Sequence, residues 1–265
     1  MAAVVYRGQL TLITGASSGL GAEFARQLAR RGSDLVLVAR RKDRLETLAE
    51  ELSGRYGIEV HTVAQDLGEA GAGTRLAAEL ERRGLTVTSL VNNAGFGTFG
   101  PFHREDPERL RQEMALDVLT VVDISRAFIN QLRDHGRGVL INVASMAGYQ
   151  GNPNMAVYGA TKAFVLNLTE ALWVESRGSG LKVIALSPGA TRTEFFDVVG
   201  TDDAAGGRRL QEPSDVVATA LNALDRKNPP PDVIAGRANR ILAAASRRLL
   251  SRAQVARVVG RMTDR

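Results

Sequence analysis

The stretch QLTLITGASSGLGAEFARQLARRG, residues 9–32, decides the fold of this chain of 265 residues. It begins with a short apolar run, which predicts a buried β-strand, and then breaks at glycine and serine. Leu20, Phe24 and Leu28 follow at helical spacing, and Gly32 marks the end of the helix. The stretch therefore predicts a strand, a tight turn and a helix in direct succession.

The turn between this strand and this helix contains three glycines. Their spacing is Gly-x3-Gly-x-Gly, which differs from the Gly-x-Gly-x-x-Gly form of many dinucleotide sites. Glycine tolerates positive φ and lets the backbone approach a pyrophosphate, which a helix N-terminus attracts. A turn of this kind can also carry glycines for purely structural reasons. We predict that the turn binds a dinucleotide through Gly15, Ser17, Ser18, Gly19, Leu20 and Gly21.

The rest of the chain repeats the alternation of strands and helices. Nearly continuous apolar runs alternate with helical segments, which predicts a parallel sheet with helices on both faces. The expected fold class is a single-domain α/β fold, a doubly wound sheet of the Rossmann type. Residues 109–136 are predicted to form one long helix, and residues 191–209 a loop. We assign the Rossmann-type domain to residues 1–235 and a basic, amphipathic helical tail to residues 236–265.

The end of the second predicted strand indicates which dinucleotide binds. An NAD site usually has an acidic residue there, which binds the ribose 2′-hydroxyl. Here the strand ends at Ala39 and is followed by Arg40 and Arg41. Guanidinium groups suit a 2′-phosphate, which favours NADP(H) over NAD(H), although the basic residues could instead be a solvated helix start. Asp66 and Leu67, after the third strand, border the adenine in this interpretation, or Asp66 is a plain helix cap.

The fourth predicted strand ends in the residues Asn92, Asn93, Ala94 and Gly95. Asparagine amides can tie neighbouring strand ends together, and Gly95 again permits a close approach of the cofactor. A turn without any ligand is the alternative interpretation of the same four residues. We predict that Asn93, Ala94 and Gly95 contact the dinucleotide.

A serine, a tyrosine and a lysine follow the fifth strand at the same edge of the predicted sheet. Tyr158 and Lys162 are four residues apart on one predicted helix, so both project from the same face. The ammonium lowers a phenol pKa that is ordinarily about 10, which suits a tyrosine to exchange a proton with a carbonyl or alcohol oxygen. The Ser145 hydroxyl could hydrogen-bond that oxygen. Alternatively, Tyr158 packs in the core and Lys162 is solvated.

The glycine turn, Asn-Asn-Ala-Gly, Ser-x12-Tyr-x3-Lys and Ser-Pro-Gly occur on successive strand–helix junctions. In this combination the sequence resembles the short-chain dehydrogenase/reductase family over residues 8–224. The resemblance implies an oxidoreductase in which Tyr158 is the general acid/base, Lys162 lowers its pKa and holds the nicotinamide ribose, and Ser145 orients the substrate oxygen. It also implies that Pro188, Gly189 and Thr191 face the nicotinamide. Thr193 would reach a phosphate of the cofactor.

One departure from the family concerns the long helix before the serine. The family commonly has an asparagine there, whose main chain helps hold a water that connects the lysine to solvent, and this chain has Asp117. A main-chain role would survive the change. A carboxylate near Lys162 would instead compete with Tyr158 for the ammonium. We therefore include Asp117 among the catalytic residues and expect activity with a shifted pH optimum.

Three glycine-rich segments are expected to form the substrate pocket, namely residues 95–102, 146–155 and 190–209. Their large side chains suggest an apolar, mobile pocket for a hydrophobic ketone, such as a fatty-acyl, steroid-like or aromatic carbonyl. Several of these side chains could equally belong to the core. They are Phe96, Phe99, Phe102, Tyr149, Met155, Phe195 and Phe196.

Composition argues against several other classes of protein. The chain has no cysteine, and its three histidines lack the spacing of metal ligands, so we expect no metal site. We find no N-terminal leader and no apolar run of the roughly 20 residues that span a bilayer, which predicts a cytoplasmic protein. The family resemblance further implies a homodimer or homotetramer. A non-catalytic dinucleotide sensor or scaffold on the same fold is the alternative function.

The net charge of +5 is concentrated at the C-terminal end. Residues 236–265 hold eight arginines and one aspartate, a net charge of +7, so the rest of the chain carries −2. The tail lacks interleaved aromatic residues, which argues against nucleic-acid binding. Its amphipathic helix could contact an anionic membrane surface, pack on a second subunit or cover the substrate cleft. Ser251 and Gln254 are predicted to form a capping box.

Overall fold

The protein is built on a parallel sheet, as the sequence predicts. A computed structural model describes residues 4–205, 207, 209–249 and 251–263. Within this part of the chain, seven parallel strands form one sheet in the order β3-β2-β1-β4-β5-β6-β7. The strands are β1 Leu10–Thr14, β2 Asp34–Ala39, β3 Val60–Ala64, β4 Ser89–Asn92, β5 Val139–Val143, β6 Lys182–Ser187 and β7 Asp232–Ile234.

The order of the strands reverses at β1. The chain runs outward from β1 to β2 and β3, and then returns to β4 on the other side of β1. β1 pairs with both of its neighbours, so that Ile13 lies opposite Leu37 of β2 and Val91 of β4. Ligands of such sheets bind at the carboxyl ends of the strands, beside this reversal. The turns after β1, β2 and β4, which hold the predicted cofactor residues, therefore meet at one edge.

Helices cover both faces of the sheet. They are α1 Gly19–Arg30, α2 Lys42–Tyr56, α3 Ala72–Arg82, α4 Pro107–Met114, α5 Thr120–His135, α6 Ala156–Glu175, α7 Phe195–Val199, α8 Pro213–Leu224, α9 Arg237–Leu249 and α10 Arg252–Thr263. α1, α2 and α8 pack on one face, and α3, α5 and α6 on the other. Phe24 and Leu28 of α1 are fully buried, in agreement with their helical spacing. Because both faces are covered, the strand sequences are continuous apolar runs.

The segment 109–136, for which the sequence predicts one long helix, contains a wider turn. α4 ends at Met114, α5 begins at Thr120, and Ala115–Leu119 between them form a π-helical turn. A π-turn inserts one extra residue into the helix and changes the direction of the side chains around it. Asp117 lies in this turn and is fully buried. The prediction of a regular helix is therefore wrong at the turn that carries a candidate catalytic residue.

The C-terminal tail forms α9 and α10, and its residues 250, 264 and 265 lie outside the described part of the chain. The predicted capping box is confirmed: the Ser251 N–H donates to Gln254 Oε1 at 2.8 Å, and the Gln254 N–H donates to Ser251 Oγ at 3.3 Å. α10 packs on the segment after β5, where a Cβ atom on Gly260 would be 3.3 Å from Pro153 Cγ. No helix in the described ranges has the length and apolar character that crossing a bilayer requires.

We expect Gly73→Ala to destabilise the protein. A Cβ atom on Gly73, in α3, would lie 2.6 Å from the Asp123 carbonyl carbon and 2.7 Å from the Ile124 nitrogen of α5. The two helices must separate, which should lower the free energy of unfolding by about 1–3 kcal/mol in chemical denaturation. Gly54→Ala is the matched control, because open space surrounds that position in α2 and alanine should stabilise it by up to about 1 kcal/mol. Equal effects of Gly73→Ala and Gly54→Ala on the free energy of unfolding would contradict the close packing of α3 on α5.

Candidate active site

A cleft of about 790 Å³ runs along the carboxyl ends of the strands. Most of the residues that the sequence predicts for the site line this cleft: Gly15, Ser17, Ser18, Gly19, Leu20, Arg40, Arg41, Asp66, Leu67, Asn93, Ala94, Gly95, Ser145, Tyr158, Lys162, Pro188, Gly189, Thr191 and Thr193. Gly21 and Asp117 are the two that lie behind the cleft wall. Residues from distant parts of the sequence therefore form one continuous site.

The turn after β1 has no room for a side chain at Gly15. Gly15 has φ = +66°, and a Cβ atom there would lie 2.8 Å from Asn93 Nδ2 and 2.9 Å from Ala94 Cα. A Cβ atom on Gly21 would collide with the Gly15 carbonyl oxygen, so α1 can start this close to β1 only with glycine. Ser18, the N-cap of α1, makes no side-chain capping bond. Because the first N–H groups of a helix lack intrahelical partners, this end of the cleft suits an anionic group.

Asn92 and Asn93 tie β4 to the strands on either side of it. Asn92 Nδ2 donates to Asn142 Oδ1 of β5 at 2.9 Å, and Asn93 Nδ2 donates to the Thr14 carbonyl oxygen of β1 at 2.9 Å. The Thr14 hydroxyl oxygen accepts the N–H groups of Asn93 and Ala94 at 2.9 and 3.0 Å. These bonds hold the start of the loop after β4 in place.

Two arginines follow β2 at one end of the cleft. Arg41 Nε and Nη2 donate to Ser17 Oγ at 3.2 and 3.0 Å, and Nη2 also donates to Ser18 Oγ at 2.9 Å. Arg40 is exposed, and its Nη1 lies 4.0 Å from Asp66 Oδ2. This end of the cleft thus combines guanidinium groups with hydroxyl groups, which are suited to hold a phosphate.

Ser145, Tyr158 and Lys162 lie together at the other end of the cleft. Ser145 Oγ accepts the Ala147 N–H at 3.1 Å, and the Ser145 hydroxyl is close enough to the Tyr158 phenol to lower its pKa. Lys162 Nζ lies 5.6 Å from the centre of the Tyr158 ring, and the lysine is 6% exposed. Two hydroxyl groups beside a buried ammonium can donate hydrogen bonds to one ligand oxygen and transfer a proton to it.

A buried carboxylate pairs with the lysine. Asp117 Oδ2 lies 2.9 Å from Lys162 Nζ, and Asp117 Oδ1 accepts the Phe96 N–H at 3.0 Å. Lys162 Nζ also donates to the Val143 carbonyl oxygen at 3.4 Å. Gly95 packs directly on the pair, and a Cβ atom there would lie 2.8 Å from Asp117 Oδ1 and 3.1 Å from Nζ. Gly95 is therefore a glycine because the ion pair fills the space next to it.

Burial and the ion pair together determine the acidity of the phenol. Burial raises the pKa of Tyr158 and outweighs the opposite effects of Lys162 and Ser145, while the Asp117 charge raises it further. Burial alone would lower the pKa of Lys162, but the attraction of Asp117 and Tyr158 is stronger and the pKa is raised. The lysine acts on the phenol in the predicted direction. In the protein by itself burial is the larger influence and holds the pKa of Tyr158 above its ordinary value.

Glu113, one helical turn before Asp117, is fully buried and is not among the residues that the sequence predicts for the site. Its Oε2 accepts the Thr98 hydroxyl at 2.9 Å, and Oε1 has no hydrogen-bond partner among the described residues. Burial raises the pKa of this carboxyl to about 7, and the Asp117 charge contributes in the same direction. Glu113 and Asp117 hold Thr98 and Phe96 of the loop after β4. The four-residue spacing between the two acids was the available sign that they share a helix face.

Part of the predicted aromatic set forms the substrate end of the cleft. Phe96, Met155, Phe195 and Phe196 line it, and the Phe195 ring centre lies 5.3 Å from that of Tyr158. The predicted loop 191–209 that carries the two later phenylalanines includes the short helix α7. Further along the chain, Val259 of α10 also lines the cleft, and the tail thereby contributes to its wall.

The assignment of Phe99, Phe102 and Tyr149 to the pocket is wrong. None of these three described residues lines the cleft, and Phe102 is 64% exposed. The Tyr149 hydroxyl donates to Asp232 Oδ2 at 2.6 Å and lies 3.3 Å from Ser187 Oγ. Tyr149 therefore ties the turn after β5 to β6 and β7, because a half-buried phenol needs a polar partner for its hydroxyl.

A parallel sheet whose strand order reverses at β1, with a cleft at its carboxyl edge, defines a Rossmann-type α/β fold. The sequence matches the family model described as short chain dehydrogenase over residues 9–204. Since this match covers well over half of the chain, the protein belongs to the short-chain dehydrogenase/reductase family. The resemblance seen in the sequence motifs is thereby confirmed.

The matches to named relatives and to a solved structure cover most of the chain. Sulfoacetaldehyde reductase 2 of Chromohalobacter salexigens is 38% identical over 200 residues, which are 74% of this chain and 78% of that protein. The 7beta-hydroxysteroid dehydrogenase of Clostridium sardiniense is 29% identical over 220 residues, 83% and 84% of the two chains. The structure of a short-chain dehydrogenase from Sphingobium yanoikuyae in complex with NADPH has a TM-score of 0.80 and 34% identity, and covers 97% of this chain and 96% of that chain.

We expect Glu113→Gln to stabilise the protein at and above neutral pH. The pKa of about 7 in the folded protein exceeds the value of about 4.3 for a glutamate in an unfolded chain. The folded state therefore binds the proton more tightly, and the wild type should lose stability relative to the variant as the pH rises from about 4 to about 7. Above about pH 7 the difference should stay constant at roughly 3–4 kcal/mol, measured by urea denaturation.

Glutamine keeps an oxygen that can accept the Thr98 hydroxyl, so the substitution tests the charge rather than the hydrogen bond. Glu108→Gln is the control, because Glu108 is exposed on the same helix and pairs with Arg111 at the surface. This control should show no comparable pH dependence. A difference between wild type and the Glu113 variant that is the same at about pH 5 and about pH 8 would show that the buried carboxyl has an ordinary pKa.

Proposed function

We propose that the protein is an NADP(H)-dependent oxidoreductase that transfers hydride between the nicotinamide and the carbon of a ketone or secondary alcohol. One observation carries this proposal: the hydroxyl groups of Ser145 and Tyr158 and the ammonium of Lys162 lie at one end of a cleft whose other end holds Arg41. The first group suits proton transfer and the second suits a phosphate. Membership in an oxidoreductase family supports the same conclusion.

The residues along the cleft fit a dinucleotide with a 2′-phosphate. The glycine turn leaves no room for a Cβ atom at Gly15 or Gly21 and would hold the pyrophosphate at the start of α1. Arg40, Arg41 and Ser17 would bind the 2′-phosphate, and Lys162 the nicotinamide ribose. The NADPH in the related Sphingobium yanoikuyae structure supports this choice of cofactor. When bound, the nicotinamide supplies or accepts the hydride. The remaining proposed contacts come from Asp66, Leu67, Asn93, Ala94, Gly95, Pro188, Gly189, Thr191 and Thr193.

Proton transfer is the part of the reaction that the chain itself performs. Ser145 and Tyr158 would donate hydrogen bonds to the carbonyl oxygen, and Tyr158 would give that oxygen its proton as the carbon is reduced. The nearby Lys162 ammonium stabilises the phenolate that remains. In the protein alone the raised pKa of Tyr158 keeps the phenol protonated, which is the state that donates a proton during carbonyl reduction.

The proposed substrate is a bulky, mainly apolar ketone or the corresponding alcohol. Phe96, Met155, Phe195 and Phe196 form an apolar wall close to Tyr158, and Val259 extends it. The relative named as a 7beta-hydroxysteroid dehydrogenase fits such a wall, whereas the relative named as a sulfoacetaldehyde reductase is named for a small aldehyde. The apolar lining favours the larger substrate.

A substrate screen that follows NADPH absorbance tests the proposal. We expect turnover of steroid, fatty-acyl or aromatic ketones, with a higher kcat/KM for NADPH than for NADH. Tyr158→Phe should lower kcat/KM at least about 100-fold and leave the Kd for NADPH unchanged, because it removes only the proton donor. Comparable efficiency with NADH would contradict the proposed role of Arg40 and Arg41. Binding of NADPH without turnover of any carbonyl would favour a non-catalytic sensor instead.

We expect Asp117→Asn to move the pH–rate profile to lower pH. Asparagine can still accept the Phe96 N–H through its oxygen, but it removes the charge beside Lys162. The ammonium then acts on Tyr158 without a competing carboxylate, so the pKa of the phenol falls. The acidic limb of kcat/KM for alcohol oxidation, which reports the phenolate, should move down by about one pH unit. Asp134→Asn, at an exposed site on α5, is the control; matching profiles for both variants would exclude this role of Asp117.

A further inference from the structure

Glu194, in the loop between β6 and α7, is bonded to two arginines beside the glycine turn. Glu194 Oε2 lies 2.8 Å from Arg41 Nη1, and Oε1 is paired with Arg44 Nη1. Hydrogen bonds from Arg44, Arg41 and Ser18 lower the pKa of Glu194 to about 2. The carboxylate is therefore a full negative charge throughout the neutral pH range, at the end of the cleft where a 2′-phosphate would bind.

Arg41 is the residue that Glu194 and a 2′-phosphate would share. Its Nε and Nη2 donate to the hydroxyl oxygens of Ser17 and Ser18, and its Nη1 donates to Glu194. Every nitrogen of this guanidinium group thus has an oxygen partner within the protein. A phosphate needs some of these donors, and at neutral pH it adds close to two negative charges next to the carboxylate.

The carboxylate is held at Arg41 by its neighbours in the chain. Thr193 lies against the glycine turn, where a Cβ atom on Gly19 would be 3.1 Å from Thr193 Cβ. Phe195 packs on the Tyr158 ring at a centre-to-centre distance of 5.3 Å. Because both flanking residues contact the cleft wall, they place the Glu194 carboxylate next to the arginines.

We propose that Glu194 is an internal counter-anion that competes with the 2′-phosphate of NADP(H) for Arg41 and thereby limits the preference for NADP(H) over NAD(H). The inference rests on the proposed function, because it requires the 2′-phosphate to bind at Arg41. NAD(H) has a neutral hydroxyl at this position and leaves the pair of Glu194 and Arg41 undisturbed. Removal of the Glu194 carboxylate should therefore strengthen the binding of NADP(H) and leave the binding of NAD(H) unchanged.

Isothermal titration calorimetry with NADPH and NADH measures this competition without any turnover. We expect Glu194→Gln to bind NADPH roughly two- to fivefold more tightly than the wild type, the range that an exposed ion pair contributes, and NADH with unchanged affinity. Glu194→Ala should act in the same direction, since it also removes the charge. Glu212→Gln is the matched control, because Glu212 forms an exposed ion pair with Arg192 and does not line the cleft. It should change neither affinity.

The outcomes separate this inference from the proposed function. Unchanged or weaker NADPH binding by the Glu194 variants would overturn the inference alone, because Glu194 would then position Arg41 rather than compete for it. An equal gain for NADPH and NADH would also overturn it, since the carboxylate would act on a part that both cofactors share. A wild-type protein that binds neither cofactor would remove the proposed function together with the inference.

Discussion

The candidate active site depends on a buried ammonium group with one buried counter-ion. Lys162 is 6% exposed, and the fully buried Asp117 lies 2.9 Å from its Nζ. Either charge alone would be very costly inside the protein, so each one permits the other to be there. The surrounding structure follows from the pair: the π-turn Ala115–Leu119 contains the carboxylate, and Gly95 leaves room for both groups. Tyr158 consequently lies beside a lysine whose charge is already partly offset.

Much of the fold could be predicted because its cause is visible in the sequence. Strands that are covered on both faces are continuous apolar runs, and glycines mark the turn between β1 and α1. The π-turn could not be predicted, because Ala115–Leu119 has no composition that distinguishes it from the regular helix on either side. Similarly, nothing local separates the buried Glu113 from the exposed Glu108 of the same helix. Glu113 is buried because the loop after β4 packs on it, and helix propensity has no part in this.

The predicted residues that follow strands line the cleft, whereas several predicted residues on loops do not. A strand end is placed by the sheet, so motifs on successive strand–helix junctions must meet at one edge. A loop side chain takes its partner from anywhere in the chain. Tyr149 is bonded to Asp232, 83 residues away, and Glu194 to Arg41, 153 residues away. Aromatic or acidic character alone does not indicate these partners, which is why Tyr149 was assigned to the pocket and Glu194 to no role.

Each end of the cleft places a carboxylate beside a cation, and burial determines what the carboxylate can do. Displacing Asp117 would leave Lys162 buried without a counter-ion, which costs about 3–5 kcal/mol. Asp117 therefore stays beside Lys162 and Tyr158, although burial raises the pKa of its carboxyl. Glu194 is 39% exposed at its side chain, and an exposed pair such as the one with Arg41 contributes only about 0.2–1 kcal/mol. A phosphate that brings more charge can replace it. In the proposed enzyme, the buried carboxylate thus affects reactivity, and the exposed one affects cofactor affinity.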